Sequence, residues 1–184
     1  MEEMTASNLR GAFGGESMAH MRYNIWGDKA ARDGLDNIAR LFRAISAAEQ
    51  VHAANHFREL AGQTGGFLVP SMAEFGLGPT PQNLQGGIDG ESYEISQMYP
   101  SFLQVAEQQD EQGAVRSFRY ALAAEQTHVK FFQNAKEAAD SGEDLDLGPV
   151  NVCSVCGYTV EGEAPDPCPI CKVSRDKFTA YTAS

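Results

Sequence analysis

An all-α four-helix bundle with a long crossover between its second and third helices, followed by a small metal-binding domain of turns and short strands, is what three features of this 184-residue sequence call for. The stretch Phe42 to His52 returns as Phe118 to His128 with seven of eleven positions identical, and each copy ends in Glu-x-x-His. All four cysteines lie in the last 32 residues as two Cys-x-x-Cys pairs, Cys153/Cys156 and Cys168/Cys171. Between two long stretches of helical periodicity runs an irregular passage, Phe67 to Gly78, with Pro70, Gly76 and Gly78, where the crossover of such a bundle belongs.

The first helix is expected from about Ser7 to Asp33, with Leu9, Phe13, Glu16, His20 and Tyr23 on one face at three- and four-residue steps. Gly34 ends it, and Asp36 is the candidate N-cap of a second helix, about Leu35 to Ala61, that carries the first repeat. Thr80-Pro81 restarts the helical pattern, with Thr as N-cap and Pro at the first helical position. The third helix, about Pro81 to Gln109, sets Glu91 and Glu94 on one face, and Pro100 should kink it or open a wider turn. The fourth, about Glu111 to Ala139, carries the second repeat. Gly90-Glu91-Ser92 echoes Gly15-Glu16-Ser17, so the bundle reads as two related hairpins, each giving one Glu and then one Glu-x-x-His. Trp26 and the methionines read as core. Residues 1–140 form the bundle, 141–150 an acidic Gly/Pro-punctuated linker, and 151–184 the small domain, with Tyr158, Phe178 and Tyr181 as its aromatic cover.

The chemistry lies in which face the acids occupy. Glu49 falls in line with Ile45 and Phe42, and Glu125 with Leu122 and Phe118, so carboxylates stand in stripes that should face a core. An unpaired buried carboxylate costs several kcal/mol, which calls for a cation between the helices. With 15 Glu and 4 His in the chain, chance yields about a third of one Glu-x-x-His. Two copies inside a longer repeat, placed in the apolar stripe, outweigh the bland alternative of a duplicated surface helix. Glu16, Glu49, His52, Glu91, Glu94, Glu125 and His128 thus make the di-iron or di-manganese carboxylate arrangement of a helix bundle. Five carboxylates against two divalent ions leave a nearly neutral site, and mixed carboxylate and imidazole donors suit iron or manganese. The four cysteines make a tetrahedral thiolate site for zinc or for one iron. A net charge of −11 argues against nucleic acid and anionic membrane surfaces. The sequence has no apolar run of membrane-spanning length and no signal pattern, so a cytoplasmic protein is expected.

The whole chain resembles the rubrerythrin family, a ferritin-like di-iron bundle followed by a rubredoxin-like iron domain. The resemblance rests on Gly15-Glu16-Ser17 through Arg22-Tyr23, Glu49-Gln50-Val51-His52, and Asp89-Gly90-Glu91-Ser92-Tyr93-Glu94 through Met98-Tyr99-Pro100. Ala124-Glu125-Gln126-Thr127-His128 and Cys153-Ser154-Val155-Cys156-Gly157-Tyr158 with Cys168-Pro169-Ile170-Cys171 complete it. It implies a peroxidase that reduces hydrogen peroxide to water at a diferrous site, Glu49 and Glu125 bridging the metals and Glu16 and Glu91 binding them terminally. It implies a redox switch in which His52 ligates one iron when reduced and Glu94 replaces it when oxidised. Tyr23 and Tyr99 would hydrogen-bond ligand carboxylates. The four cysteines would carry iron, with zinc in some purified samples. Electrons would come from an NAD(P)H-linked reductase or a rubredoxin, and would pass between subunits of a homodimer. Two features depart from the family pattern: the long Phe67 to Gly78 passage, and the extra histidines His20 and His56, which read as hydrogen-bonded core or boundary residues. The rival readings are an iron-handling ferroxidase or storage protein, which shares the bundle ligands, and a zinc-ribbon adaptor without redox function.

Overall fold

The computed structural model describes residues 1–183. Helix α1 (Glu3–Arg32) packs antiparallel on α2 (Asp36–Glu59), and α3 (Thr80–Tyr93) pairs with α5 (Gln112–Asp140). The expected third helix is not one α-helix. A π-helical turn, Glu94–Met98, separates α3 from α4 (Tyr99–Gln108), with the Tyr99 N–H bonded to the Glu94 carbonyl five residues back. Pro100 is the second residue of α4, directly after the π turn, so the wider turn that the sequence calls for near it is present. The π turn absorbs one extra residue: Glu91 and Tyr99 are eight apart, while their counterparts Glu16 and Tyr23 are seven apart.

Residues 61–79 form the crossover, without regular secondary structure. It runs close along α1, where a side chain at Gly15 would meet the Ser71 hydroxyl at 3.0 Å. Two apolar clusters fill the bundle. Tyr23, Trp26, Phe42, Leu84 and Phe132 lie in one, and Leu9, Tyr99, Ala106 and Phe118 in the other. Trp26 is core, as expected, but Met1, Met4, Met21 and Met72 are exposed and only Met98 among the methionines is fully buried. No helix among the described residues is long and apolar enough to cross a membrane.

The small domain is a three-stranded antiparallel sheet in the order β2 (Thr159–Glu161), β1 (Val150–Cys153), β3 (Phe178–Tyr181). It is seated on α2 and α5, and Val150 and Val152 join the bundle's own core around Phe42. Tyr158 and Phe178 pack edge-on at 6.5 Å beside the cysteines, whereas Tyr181 turns to the bundle core. The connection to it is bound down. Buried Arg40 donates to the carbonyls of Leu147, Gly148 and Tyr181.

Both expected helix caps differ from the structure. Thr80 is the first residue of α3 and donates its hydroxyl to Asp33 instead of capping. Asp36 is likewise inside α2, and the cap comes from the connection: Asp144 accepts from the Asn37 and Ile38 N–H groups at 2.8 and 3.1 Å. A carboxylate far along the chain takes two orphan donors that a local side chain would otherwise take. Asp144→Ala is expected to cost about 1 kcal/mol, or roughly 2–4 °C in melting temperature for a chain of this size. An unshifted thermal melt followed by circular dichroism would show that Asp144 is not a cap.

Candidate di-metal and four-cysteine centres

The repeat places Glu49 and His52 one turn apart on α2, and Glu125 and His128 one turn apart on α5, all four fully buried. Glu16 from α1 and Glu91 from α3 complete two groups of converging donors, Glu16/Glu49/His52/Glu125 and Glu49/Glu91/Glu125/His128. Within each group the ligand atoms lie within 4.8 Å of one another, and Glu49 and Glu125 are common to both. That is the pattern of two adjacent cation positions sharing two carboxylates. His52 Nδ1 lies 2.9 Å from Glu49 and 2.8 Å from Glu125, and His128 Nδ1 lies 2.6 Å from Glu125 and 3.2 Å from Glu49.

The donors converge more than they pair. Glu16 Oε2, Glu49 Oε1, Glu91 Oε2, both Glu125 oxygens and His128 Nδ1 are buried without an aligned hydrogen-bond partner. Such a set of lone pairs aimed at common points fits divalent cations and is costly without them. Glu94 is buried beside the site but belongs to neither converging group.

The outer edges of the site are tied down. Tyr23 on α1 donates to Glu91 at 2.6 Å, and Tyr99 on α4 donates to Glu16, so each hairpin's tyrosine holds the other hairpin's carboxylate. His52 Nε2 bonds the Cys156 carbonyl at 3.2 Å, and His128 Nε2 bonds the Thr159 hydroxyl at 3.0 Å. The Thr159 hydroxyl proton goes to the Gly157 carbonyl, so its oxygen accepts from His128. Both imidazoles therefore present Nδ1 to the carboxylates because the small domain occupies Nε2. Nothing in the sequence relates Thr159 to His128, 31 residues before it. Gly157 allows the approach: its φ is +77°, and a Cβ there would lie 2.1 Å from His52 Nε2. His56 is fully buried and His20 half-buried with its Nδ1 at the Ser46 carbonyl, and neither joins the converging groups.

Without cations, protons would take their place. Burial, with Glu49 and Glu125 nearby, pushes Glu16 and Glu91 well above the usual carboxylate range, and burial with Glu16 nearby does the same to Glu94. Against burial, Glu125 and Glu49 raise His52 to about 10 and hold His128 well up too. Glu125, despite burial, is held down by His52 and His128.

The four cysteine sulfurs also converge within 4.8 Å, with Cys153 and Cys171 Sγ 3.6 Å apart and Cys156 and Cys168 Sγ 3.7 Å apart. These match the edges of a tetrahedron around a cation about 2.3 Å from each sulfur. Cys153 is held down to about 5 by the Cys156 thiol and by the Val155 and Cys156 N–H groups, whereas Cys156 is pushed up by Cys153 and by burial.

A carboxylate-rich two-cation centre in a four-helix bundle, in contact with a four-thiolate domain, defines a ferritin-like metalloprotein with an attached rubredoxin-like module. The family model described as Rubrerythrin matches residues 7–136, and that described as the rubredoxin-like domain of rubrerythrin matches residues 152–179. Rubrerythrin-2 of Clostridium acetobutylicum is 49% identical over 178 residues, covering 97% of each chain. Nigerythrin of Nitratidesulfovibrio vulgaris is 36% identical, covering 96% of this chain and 86% of its own. A solved structure of the fully reduced, all-ferrous state of nigerythrin superposes with a TM-score of 0.84 at 36% identity and the same coverage. The chain belongs to the rubrerythrin family. With the converging carboxylates and cysteines, that membership indicates a di-iron-type site and a four-cysteine cluster consistent with iron.

The charge arrangement fixes how metal removal should act. The raised His52 and His128 stabilise the metal-free fold below their ordinary value near 6.5, and that contribution is lost as pH rises toward about 10. The raised Glu16, Glu91 and Glu94 act in the same sense, because above about pH 4.5 the unfolded chain gives up protons that the fold keeps. Metal-free protein is therefore expected to melt at falling temperature from about pH 6 to 10, while metal-loaded protein changes little. The gap between the two forms should be wide at alkaline pH and narrow toward pH 5. Equal melting temperatures at pH 8 would mean that these side chains do not hold cations.

Proposed function

We propose that this protein is a non-haem di-iron peroxidase that reduces hydrogen peroxide to water, with electrons entering through iron held by Cys153, Cys156, Cys168 and Cys171. Glu49 and Glu125, common to both converging groups, would be shared by the two metals, and Glu16, Glu91, His52 and His128 would complete the set. Iron held there would supply the two electrons that the reduction of peroxide requires. The observation that carries this reading is the placement of His52. Its Nδ1 lies among the bridging carboxylates and its Nε2 bonds the carbonyl of a cluster cysteine, so one imidazole touches both centres. A storage protein has no use for such a contact. The protein's own residues hold the carboxylates in place through Tyr23 and Tyr99 and exclude water by burial. Electrons are supplied by a rubredoxin or an NAD(P)H-linked reductase in the cytoplasm. We further propose a homodimer, supported by the exposed apolar residues Met21, Ile25 and Phe57 on the α1–α2 hairpin and Leu68 and Phe75 in the crossover.

The test is stopped-flow mixing of the anaerobically reduced protein with peroxide and, separately, with oxygen. Oxidation by peroxide should be at least tenfold faster, and a faster reaction with oxygen would favour the ferroxidase reading. Cys171→Ser serves as the second arm, since it removes one thiolate of the cluster and leaves the Cys156 carbonyl against His52. It should slow steady-state turnover with a reductase about tenfold or more and leave a single turnover of pre-reduced protein nearly unchanged. Equal slowing of both would remove the small domain from the electron route.

Glu94 and His52 are assigned to a ligand exchange. The π turn that carries Glu94 leaves it buried but outside both converging groups, while His52 lies inside one, which suits the reduced arrangement. A diferric site has one more positive charge per iron and favours the carboxylate; a diferrous site tolerates the neutral imidazole. Glu94→Ala should raise the reduction potential of the site and His52→Ala should lower it, as read by redox titration. Shifts of the same sign would rule out the exchange.

A further inference from the structure

His56 is a fully buried histidine with no part in the two centres, yet it is hydrogen-bonded at both nitrogens. Its Nε2 lies 3.0 Å from the Tyr99 hydroxyl, and its Nδ1 lies 2.8 Å from the Ser117 hydroxyl. The direction of every bond follows from the far end. A ligand carboxylate only accepts, so Tyr99 gives Glu16 its one proton. The Tyr99 oxygen must then accept from His56 Nε2–H, which leaves Nδ1 as the lone pair and makes Ser117 its donor. Burial, assisted by His52, holds His56 down to about 3, consistent with a neutral ring that has one donor and one acceptor nitrogen. Ser117 also lines a surface cavity of about 270 Å³ with Asn55, Glu59, Arg116, Tyr120 and Val155, which has polar side chains in its wall and room for several waters.

The other half of the bundle lacks this chain. By the repeat, His56 corresponds to Phe132 and Ser117 to Leu41, both fully buried. There Tyr23 still holds Glu91, but its ring packs edge-on against Phe132 at 5.1 Å. Apolar side chains therefore suffice to build this position, and they avoid the desolvation of a buried imidazole and hydroxyl.

We propose that Ser117, His56 and Tyr99 form a proton relay from the surface cavity to the Glu16 edge of the di-metal site. This rests on the peroxidase reading, in which hydrogen peroxide takes two electrons and two protons, its O–O bond breaks and two waters leave. A solvent proton joins Ser117 Oγ as the Ser117 proton moves to His56 Nδ1. The Nε2 proton moves to the Tyr99 oxygen, and the Tyr99 proton leaves at Glu16 for a substrate oxygen. Each group gains one proton as it loses one, so none is left charged and no electron travels the chain. The relay supplies one of the two protons per turnover; it leaves the imidazole as its Nδ1–H tautomer, so a second passage requires the ring to reorient before Nε2 carries a proton again.

The first measurement does not depend on catalysis. In protein loaded with diamagnetic zinc, NMR reads the solvent exchange of the Tyr99 and Tyr23 hydroxyl protons. Tyr99 should exchange at least tenfold faster than Tyr23 in the parent. Ser117→Ala, which cuts only the link to the cavity, should slow Tyr99 about tenfold and leave Tyr23 unchanged. His56→Gln keeps an N–H donor for Tyr99 but cannot pass a proton on, so it should do the same. Exchange at Tyr99 that is unaffected by either substitution overturns the relay. The second measurement is a single turnover of the pre-reduced iron protein with peroxide in H2O and D2O. Ser117→Ala should lower the rate about tenfold with an enlarged isotope effect, at unchanged metal content. Slowed exchange with an unchanged turnover rate would overturn its role in the reaction. A parent protein inert to peroxide would count against the peroxidase reading, while the exchange data would still decide whether the relay exists.

Discussion

Everything in this molecule is arranged around the cost of bringing five carboxylates and two imidazoles into an apolar interior. Six of their donor atoms are buried without an aligned partner, and in the absence of metal the site retains protons that exposed side chains would release. Two divalent cations would remove that cost at one stroke, because Glu49 and Glu125 belong to both converging groups. The apolar clusters on either side of the site, around Phe42 and around Phe118, supply the hydrophobic stabilisation that the polar centre cannot.

The duplicated hairpin is an economical way to build such a site, and its deviations from symmetry are where chemistry can differ between the two halves. Tyr23 to Glu91 and Tyr99 to Glu16 are a reciprocal pair, each fastening one hairpin to the other. The π turn adds one residue to the second half only, and with it the extra carboxylate Glu94. His56 and Ser117 replace Phe132 and Leu41 in one half only. Additional polar groups thus lie on one side of a scaffold whose other side shows the apolar solution.

The small domain completes the centre. Arg40 and Asn37 hold its connection, Val150 and Val152 enter the bundle core, and Gly157 brings the cysteine loop against His52. Because Cys156 and Thr159 occupy the Nε2 atoms, the tautomer that both histidines present to the carboxylates is set from outside the bundle.

The sequence by itself determined the two-hairpin bundle, the small cysteine domain and the set of residues with metal-binding chemistry, because these rest on local spacing. A Glu three residues before a His, in line with Phe and Leu, must share a buried helix face whatever the rest of the chain does. The π turn also leaves a trace in the sequence, in the eight-residue step from Glu91 to Tyr99 against seven from Glu16 to Tyr23 and in Pro100, which calls for a kink or a wider turn there. What only the tertiary structure decided are the contacts between residues far apart in sequence. Asp144 caps α2 from across the chain, Thr159 meets His128, and Ser117 meets His56 across 61 positions. No periodicity within a helix encodes which foreign backbone or hydroxyl will lie against its face. That is set by how α2, α5 and the small domain pack together, and the packing energy is spread over the whole core.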